Sequence, residues 1–188
     1  MSVAYQRFFT ADDYLTWEKE QETKHEYVRG EVYTMAGARD AHVAVALNVA
    51  SLVKSHVRGT PCRTYISDMK LKVEAADAFY YPDVFVTCDA RDCDSDLFKR
   101  YPTLIVEVLS ESTALYDHGR KFASYRQLDS LQEYALIDPE ARTVDVFRRD
   151  ASHHWVLYPY AGADEAEFTS LEFRAPLALI FEDVAPSA

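Results

Sequence analysis

The segment Leu104-Ile105-Val106-Glu107-Val108-Leu109 restricts the fold of this chain more than any other. It is a continuous apolar run interrupted by a single carboxylate, and such a run reads as a strand covered on both faces. Taking an ionised carboxylate out of water costs several kcal/mol unless it is paired, hydrogen-bonded or bound to a metal. Glu107 therefore needs a partner inside the fold.

The elements around this strand are mixed in type. Thr10 and Asp13 have the spacing of a capping box, which opens a short helix that carries Tyr14, Leu15 and Trp17 and ends near Gln21,. From Glu26 to Met35 the period becomes two around Arg29-Gly30, a hairpin with Tyr27 and Val32 on one side,. A long helix follows from about Ala41 to Val57, with Val45, Val49, Leu52 and Val53 inward,. Strands are expected at Arg63 to Val73, Phe79 to Thr87 and Thr103 to Leu109; in the first, Asp68, Lys70 and Lys72 form a solvated face opposite Met69, Leu71 and Val73,. A second helix is expected from Thr113 to Leu128, with Leu115, Phe122 and Tyr125 inward. Strands then return at Glu133 to Ile137, Thr143 to Arg149 and Trp155 to Tyr160, with shorter pieces around Glu172 and Leu179,. The fold class is α+β (mixed α/β), a central sheet flanked by helices, with additional C-terminal strands.

At 188 residues, with 48% hydrophobic and 27% charged side chains, the chain suits one self-sufficient core and is neither collagen-like nor broadly disordered,. No repeat or linker divides it, so a single domain over residues 1–188 is expected,. The formal charge of −11 argues against a broadly basic nucleic-acid surface,. That excess is local: Glu74 to Asp96 holds seven acids against Arg91, and Asp164 to Asp183 holds six against Arg174. Basic residues gather around Lys54, Arg58, Arg63, Lys70 and Lys72, and at Arg120, Lys121 and Arg126. Cys62, Cys88 and Cys93 make no disulfide framework and no CxxC pair, so free thiols in a reducing, cytoplasmic setting are expected,. No secretion signal or membrane span is expected. His153-His154 offers poor geometry for joint metal ligation, and neither HExxH nor GxSxG is present,.

The chemistry gathers at two strands. In Tyr80-Tyr81-Pro82-Asp83, the proline lacks an amide hydrogen and fits a strand start, which sets Asp83 where its strand enters the sheet,. If that strand neighbours the Glu107 strand, the two carboxylates converge, and carboxylate oxygens suit Mg²⁺. Lys121, on the following helix, could reach the same sheet edge, and Asp117 lies four residues before it; the plain alternative is an exposed ion pair,. His42, in the first turn of the long helix, either supports this site or packs at the surface. Tyr125 and Gln127 are explained by packing and solvent exposure.

The ordered set Glu26, Pro82-Asp83, Glu107-Val108-Leu109-Ser110, Asp117 and Lys121 resembles the Uma family of restriction endonucleases, part of the PD-(D/E)XK nuclease superfamily. The resemblance runs from the helix after Thr10, through His25 to Glu31, to Ile137-Asp138-Pro139. It implies a restriction-endonuclease-like sheet, a Mg²⁺ or Mn²⁺ site and endonuclease cleavage of DNA. Carried over by position, Asp83 and Glu107 are metal ligands and Glu26 is an additional upstream acid. The lysine usually found two residues after the glutamate is replaced by Leu109, and its role is assigned to Lys121. Lys70, Lys72 and Arg120 are the candidate phosphate contacts. A homodimer is expected by analogy with nucleases that address two strands. The rival reading is a catalytically inactive nuclease-fold module that binds a protein or nucleic-acid partner.

Overall fold

The structure, a computed structural model, describes residues 10–35, 37–110 and 116–185. Helix α1 (Ala11–Glu18) begins at the expected capping box: the Thr10 hydroxyl accepts the Asp13 amide, and the Asp13 carboxylate accepts the Thr10 amide,. Strands β1 (His25–Val28) and β2 (Glu31–Thr34) form the hairpin. Its turn residues Arg29 and Gly30 have φ of 51° and 88°, and positive φ at both central positions matches the right-handed twist of the strands,. Helix α2 (Asp40–His56) follows, with Val45, Val49 and Val53 buried; each contributes about 1.5–3 kcal/mol by leaving water.

Next come β3 (Arg63–Ile66), β4 (Lys70–Val73), β5 (Ala78–Tyr80), β6 (Val84–Thr87), β7 (Phe98–Lys99) and β8 (Pro102–Val108). A π-helical turn, Asp117–Lys121, runs into α3 (Phe122–Tyr125). The chain finishes with β9 (Glu133–Asp138), β10 (Thr143–Arg149), β11 (Trp155–Ala161), β12 (Glu165–Phe168), β13 (Phe173–Pro176) and α4 (Leu177–Ile180).

Two mixed sheets organise these strands. The larger has the order β11-β10-β9-β8-β6-β3, with β8 and β9 parallel; the smaller is β2-β1-β5-β4-β7, and β12 and β13 pair separately. The strand expected over Arg63 to Val73 is two strands, broken at Ser67 to Met69 and divided between the sheets; the strand expected over Phe79 to Thr87 breaks at Tyr81 to Asp83 in the same way. Period-two patterning carries through each break, so the change of sheet leaves no mark on hydrophobicity. Similarly, the piece around Leu179 is the helical turn α4, and α1 ends at Glu18. The expected helix start at Thr113 and the inward Leu115 lie outside the described residues.

Alternation along the strands separates the layers. Val84, Val86, Leu104, Val106 and Val108 meet α2, α4 and the β12–β13 hairpin. On the opposite face Phe85, Ile105, Tyr134 and Leu136 meet Leu71, Val73, Ala78 and Tyr80 of the smaller sheet and Tyr125 of α3. Beyond the smaller sheet, Tyr14 of α1 packs on Tyr27, Val32 and Phe79. By the same alternation Glu107 shares the face of Ile105, and Glu26 shares the face of Val28; both look into the space between the sheets.

The cysteine expectation is overturned. Antiparallel pairing sets Arg63 against Thr87, so the next residues outward, Cys62 and Cys88, meet across strands and form a disulfide; Cys93 is free and exposed. Register between distant strands brings them together, which spacing along the chain does not reveal. The edge strand β11 is blunted by Pro159, which has no amide hydrogen, and by Asp164, whose carboxylate accepts the Ala161 amide at 2.9 Å,.

Candidate active site

β6 and β8 are antiparallel neighbours with Val84 opposite Val106, so the next pair outward is Asp83 and Glu107. The structure thus brings the two acids to one end of one strand pair. Asp83 is fixed from two sides: its Oδ2 accepts the Val108 amide at 2.8 Å and its Oδ1 lies 3.0 Å from His42 Nε2 at the start of α2. A carboxylate oxygen has two lone-pair positions, so each oxygen of Asp83 keeps one for another ligand.

Lys121 projects from the last residue of the π-helical turn into the space between the sheets. Its Nζ lies 3.0 Å from Glu26 Oε1, 3.2 Å from Glu107 Oε1 and 3.5 Å from Asp117 Oδ1. The side chains of Lys121, Glu26, Glu107 and Asp117 are only 9%, 8%, 3% and 3% exposed. The exposed-pair reading of Asp117 and Lys121 is therefore replaced by a buried cluster, and Glu26 faces inward because alternation sets it on the Val28 face of β1,. Tyr125, a turn beyond Lys121, donates its hydroxyl to Glu107 Oε1 at 2.8 Å. Sequence reasoning assigned Tyr125 to packing alone; its i+4 spacing from Lys121 is the signal that sets both on one helix stripe.

Four carboxylates, Glu26, Asp83, Glu107 and Asp117, surround one lysine ammonium. Burial pushes the Glu107 carboxyl well above the ordinary range; Lys121 opposes this, while Asp83, Asp117 and Glu26 add to it. Burial likewise raises Glu26, again opposed by Lys121. For Lys121 burial works downward, but Glu107, Glu26, Asp117 and Asp83 outweigh it and hold the ammonium well above its usual value. Burial also pulls His42 down, but its hydrogen bond to Asp83 together with the charges of Asp83 and Asp117 more than reverses this.

The donor set suits a hard divalent cation: its oxygens are carboxylates, and the local charge is negative in excess of one lysine. Among the described residues no three His, Cys, Asp or Glu side chains form a ready-made metal cage. Mg²⁺ does not need one, since it is commonly held by one or two carboxylates and keeps several waters.

The candidate phosphate contacts are dispersed. Lys70 and Lys72 lie on the face of β4 opposite Leu71 and Val73, away from Glu107. Lys70 stands over the Tyr81 ring, and Lys72 packs on Phe79 and Phe98 and pairs with Glu74 at 2.8 Å, so this face is more covered than a solvated one. Arg120 is exposed on the turn beside Lys121. His153 and His154 sit in the turn before β11, both exposed. An open cleft of about 840 Å³ lies at the other end of β8, lined by Thr103, Arg91, Tyr101 and Gln132. No helix among the described residues is long and apolar enough to cross a membrane.

Residues 11–178 match the family model described as "Uma2: Putative restriction endonuclease". Two curated relatives from Synechocystis sp. (strain ATCC 27184 / PCC 6803 / Kazusa) are similar over nearly their whole lengths. "Uncharacterized protein slr1290" is 34% identical over 174 residues, covering 93% of this chain and 92% of the relative. "Uncharacterized protein sll1609" is 32% identical over 175 residues, covering 92% and 99%. Among solved structures, "a putative nuclease belonging to DUF820" from Anabaena variabilis ATCC 29413 superposes with a TM-score of 0.77 at 19% identity, over 92% of this chain and 97% of that one. At that identity the likeness carries the fold: mixed sheets with flanking helices in the restriction-endonuclease-like α+β arrangement.

Proposed function

The chain belongs to the Uma2 family, and from that premise we propose that its buried carboxylate centre is a Mg²⁺- or Mn²⁺-dependent endonuclease site hydrolysing phosphodiester bonds in DNA. The observation that carries this reading is the set of three ion pairs by which Lys121 joins Glu26, Glu107 and Asp117 beside Asp83. Asp83 and Glu107 would hold the metal, with Glu26 as an auxiliary ligand. When bound, the cation supplies a coordinated water of lowered pKa and stabilises charge on the scissile phosphate.

The chain's own groups do the rest. His42 and the Val108 amide orient the Asp83 carboxylate. Tyr125 donates to Glu107 and fixes its rotamer. Because the surrounding carboxylates keep Lys121 protonated at neutral pH, it orients the attacking water and offsets phosphate charge rather than removing a proton,. Arg120, exposed beside it, supplies a phosphate contact,. A homodimer and a cytoplasmic location belong to the same proposal. Disulfides are uncommon in that compartment, so the state of Cys62 and Cys88 in cells bears on it.

One observation favours the rival, non-catalytic reading. An ammonium already satisfied by three carboxylates needs no substrate to account for its burial,. Incubation of supercoiled and linear DNA with the protein in Mg²⁺, Mn²⁺ or chelator separates the two. The nuclease reading expects metal-dependent nicking that disappears in Glu107→Gln and Asp83→Asn. Folded wild-type protein that cleaves neither DNA nor RNA in either metal supports the module.

A further inference from the structure

A second buried cluster lies outside the carboxylate centre, where β1 and β5 separate. Their ladder pairs Val28 with Ala78 and Tyr27 with Phe79 and stops there; one step further would set Glu26 beside Tyr80, and His25 against Tyr81. Glu18, the last residue of α1, reaches this point. Its Oε1 accepts the His25 amide at 2.8 Å and the Tyr81 hydroxyl at 3.0 Å, and its Oε2 lies 3.1 Å from His25 Nδ1. An ionised carboxylate only accepts, so that ring nitrogen carries the hydrogen. Tyr14 donates its hydroxyl to the His25 carbonyl at 2.5 Å, and Trp17 packs against the His25 ring.

Nothing intrinsic to α1 favours a buried carboxylate there. A helix C-terminus carries partial negative charge, and the last turn of α1 has no basic residue to offset it,. Glu18 is buried nonetheless, so its three donors must outweigh both burial and the helix dipole. What those donors share is position. His25 precedes Glu26, and Tyr81 precedes Pro82-Asp83. The Tyr81 backbone also works to lower the Glu26 carboxyl against its burial, and the proline that follows confines Tyr81 to extended backbone.

We propose that Glu18, His25 and Tyr81 form a positioning clamp that fixes Glu26 and Asp83 relative to one another where the strand ladder no longer does so. The inference rests on the metal-site reading for its consequence, although its geometry stands apart from it. Holding ligands to within about half an ångström is the usual requirement for a working site. A carboxylate that ties the His25 backbone to the Tyr81 side chain at the point of divergence meets that requirement from outside the site.

The test uses the full chain with Glu18→Ala, Tyr81→Phe and the pair together, at a temperature where all are folded. Two readouts are taken: amide hydrogen exchange at Tyr81 and Val106, and calorimetric titration with Mn²⁺. Tyr81 exchange should accelerate at least about tenfold in Glu18→Ala while Val106, in the larger sheet, is unchanged, and the Mn²⁺ Kd should rise about five- to tenfold. The double variant should be no worse than Glu18→Ala, because the residues act as one unit. Glu18→Gln, which retains an acceptor oxygen, should recover part of the affinity. Unchanged Tyr81 exchange overturns the clamp. Accelerated exchange with unchanged Mn²⁺ affinity overturns its positioning role. Wild-type protein that binds no Mn²⁺ overturns the metal-site reading, and with it the positioning role, whatever the exchange data show.

Discussion

Lys121→Met is the most informative single change, because it removes the ammonium shared by Glu26, Glu107 and Asp117 and leaves the carboxylates where they are. Methionine fills most of the lysine volume without its charge, so packing is nearly preserved and electrostatics dominate the result. Removing one partner of a buried ion pair costs about 3–5 kcal/mol. At roughly 2–4 °C per kcal/mol for a domain of this size, the melting temperature should fall by about 6–20 °C at pH 8. The deficit should shrink as pH falls. Burial already raises Glu107 and Glu26 and Lys121 opposes it, so without Lys121 both rise further. The folded variant then binds more protons than the unfolded chain between the ordinary carboxyl value and the raised one. Its stability accordingly falls as pH rises through that window and recovers as pH drops. Each pH unit below the raised pKa returns about 1.4 kcal/mol per carboxyl, down to an unfolded value near 4.3. His42, which Lys121 holds down, moves in the same direction. Thermal unfolding followed by circular dichroism at pH 5 and pH 8, on wild type and variant in parallel, measures this. A deficit that is equal or larger at pH 5 would refute the assignment of Lys121 as counter-ion to these carboxylates.

Glu107→Gln should behave oppositely in stability: the amide oxygen still accepts from Tyr125, the desolvated charge is gone, and the melting temperature should stay within about 5 °C,. Metal-dependent cleavage in that variant should fall by about 10²–10³-fold or more, read from plasmid nicking rates. In a proton NMR titration the wild-type His42 should titrate above its ordinary value, contributing stability that is complete below pH about 6.5 and lost as pH rises through the folded pKa,. In Asp83→Asn, burial and Lys121 pull His42 down against the weaker pull of Asp117, and His42 should titrate below that value; an unchanged titration would sever the pair. Loss of the Cys62–Cys88 bond, which spans 26 residues, should cost about 3.5 kcal/mol in Cys88→Ser,. Three alkylatable thiols in unreduced wild type would show instead that no bond forms.

The legible parts of the fold were those written in local pattern. The capping box at Thr10, the Arg29-Gly30 hairpin and the valine stripe of α2 each depend on residues within a few positions of one another, and each is found where the sequence sets it. What escaped is what depends on register between distant segments. Tyr81 to Asp83 and Ser67 to Met69 look like strand interior because apolar alternation continues through them, yet there the chain passes from one sheet to the other. The Cys62–Cys88 bond and the Glu18 cluster follow from where β6 and β5 lie relative to β3 and β1, and neither has a signature in its own neighbourhood.

The candidate site was more legible than that contrast suggests, because its central residue carries a signal in its own neighbourhood. Glu107 announces itself as a charge in an apolar strand, and a buried charge must have a partner. A lysine at position 109 would share the face of Glu107, but Leu109 instead packs with the second core cluster and gives its amide to the Ile137 carbonyl at 2.7 Å. The cation comes from the next helical turn. Lys121 crosses from the π-helical segment with an ammonium 3.2 Å from Glu107, and the same turn that delivers it also delivers Asp117. A strand lysine would be tied to one acid by its own backbone. A helix lysine, free of that tie, gathers Glu26 from the smaller sheet as well, so the shift of this residue along the chain joins the two sheets through a single charge.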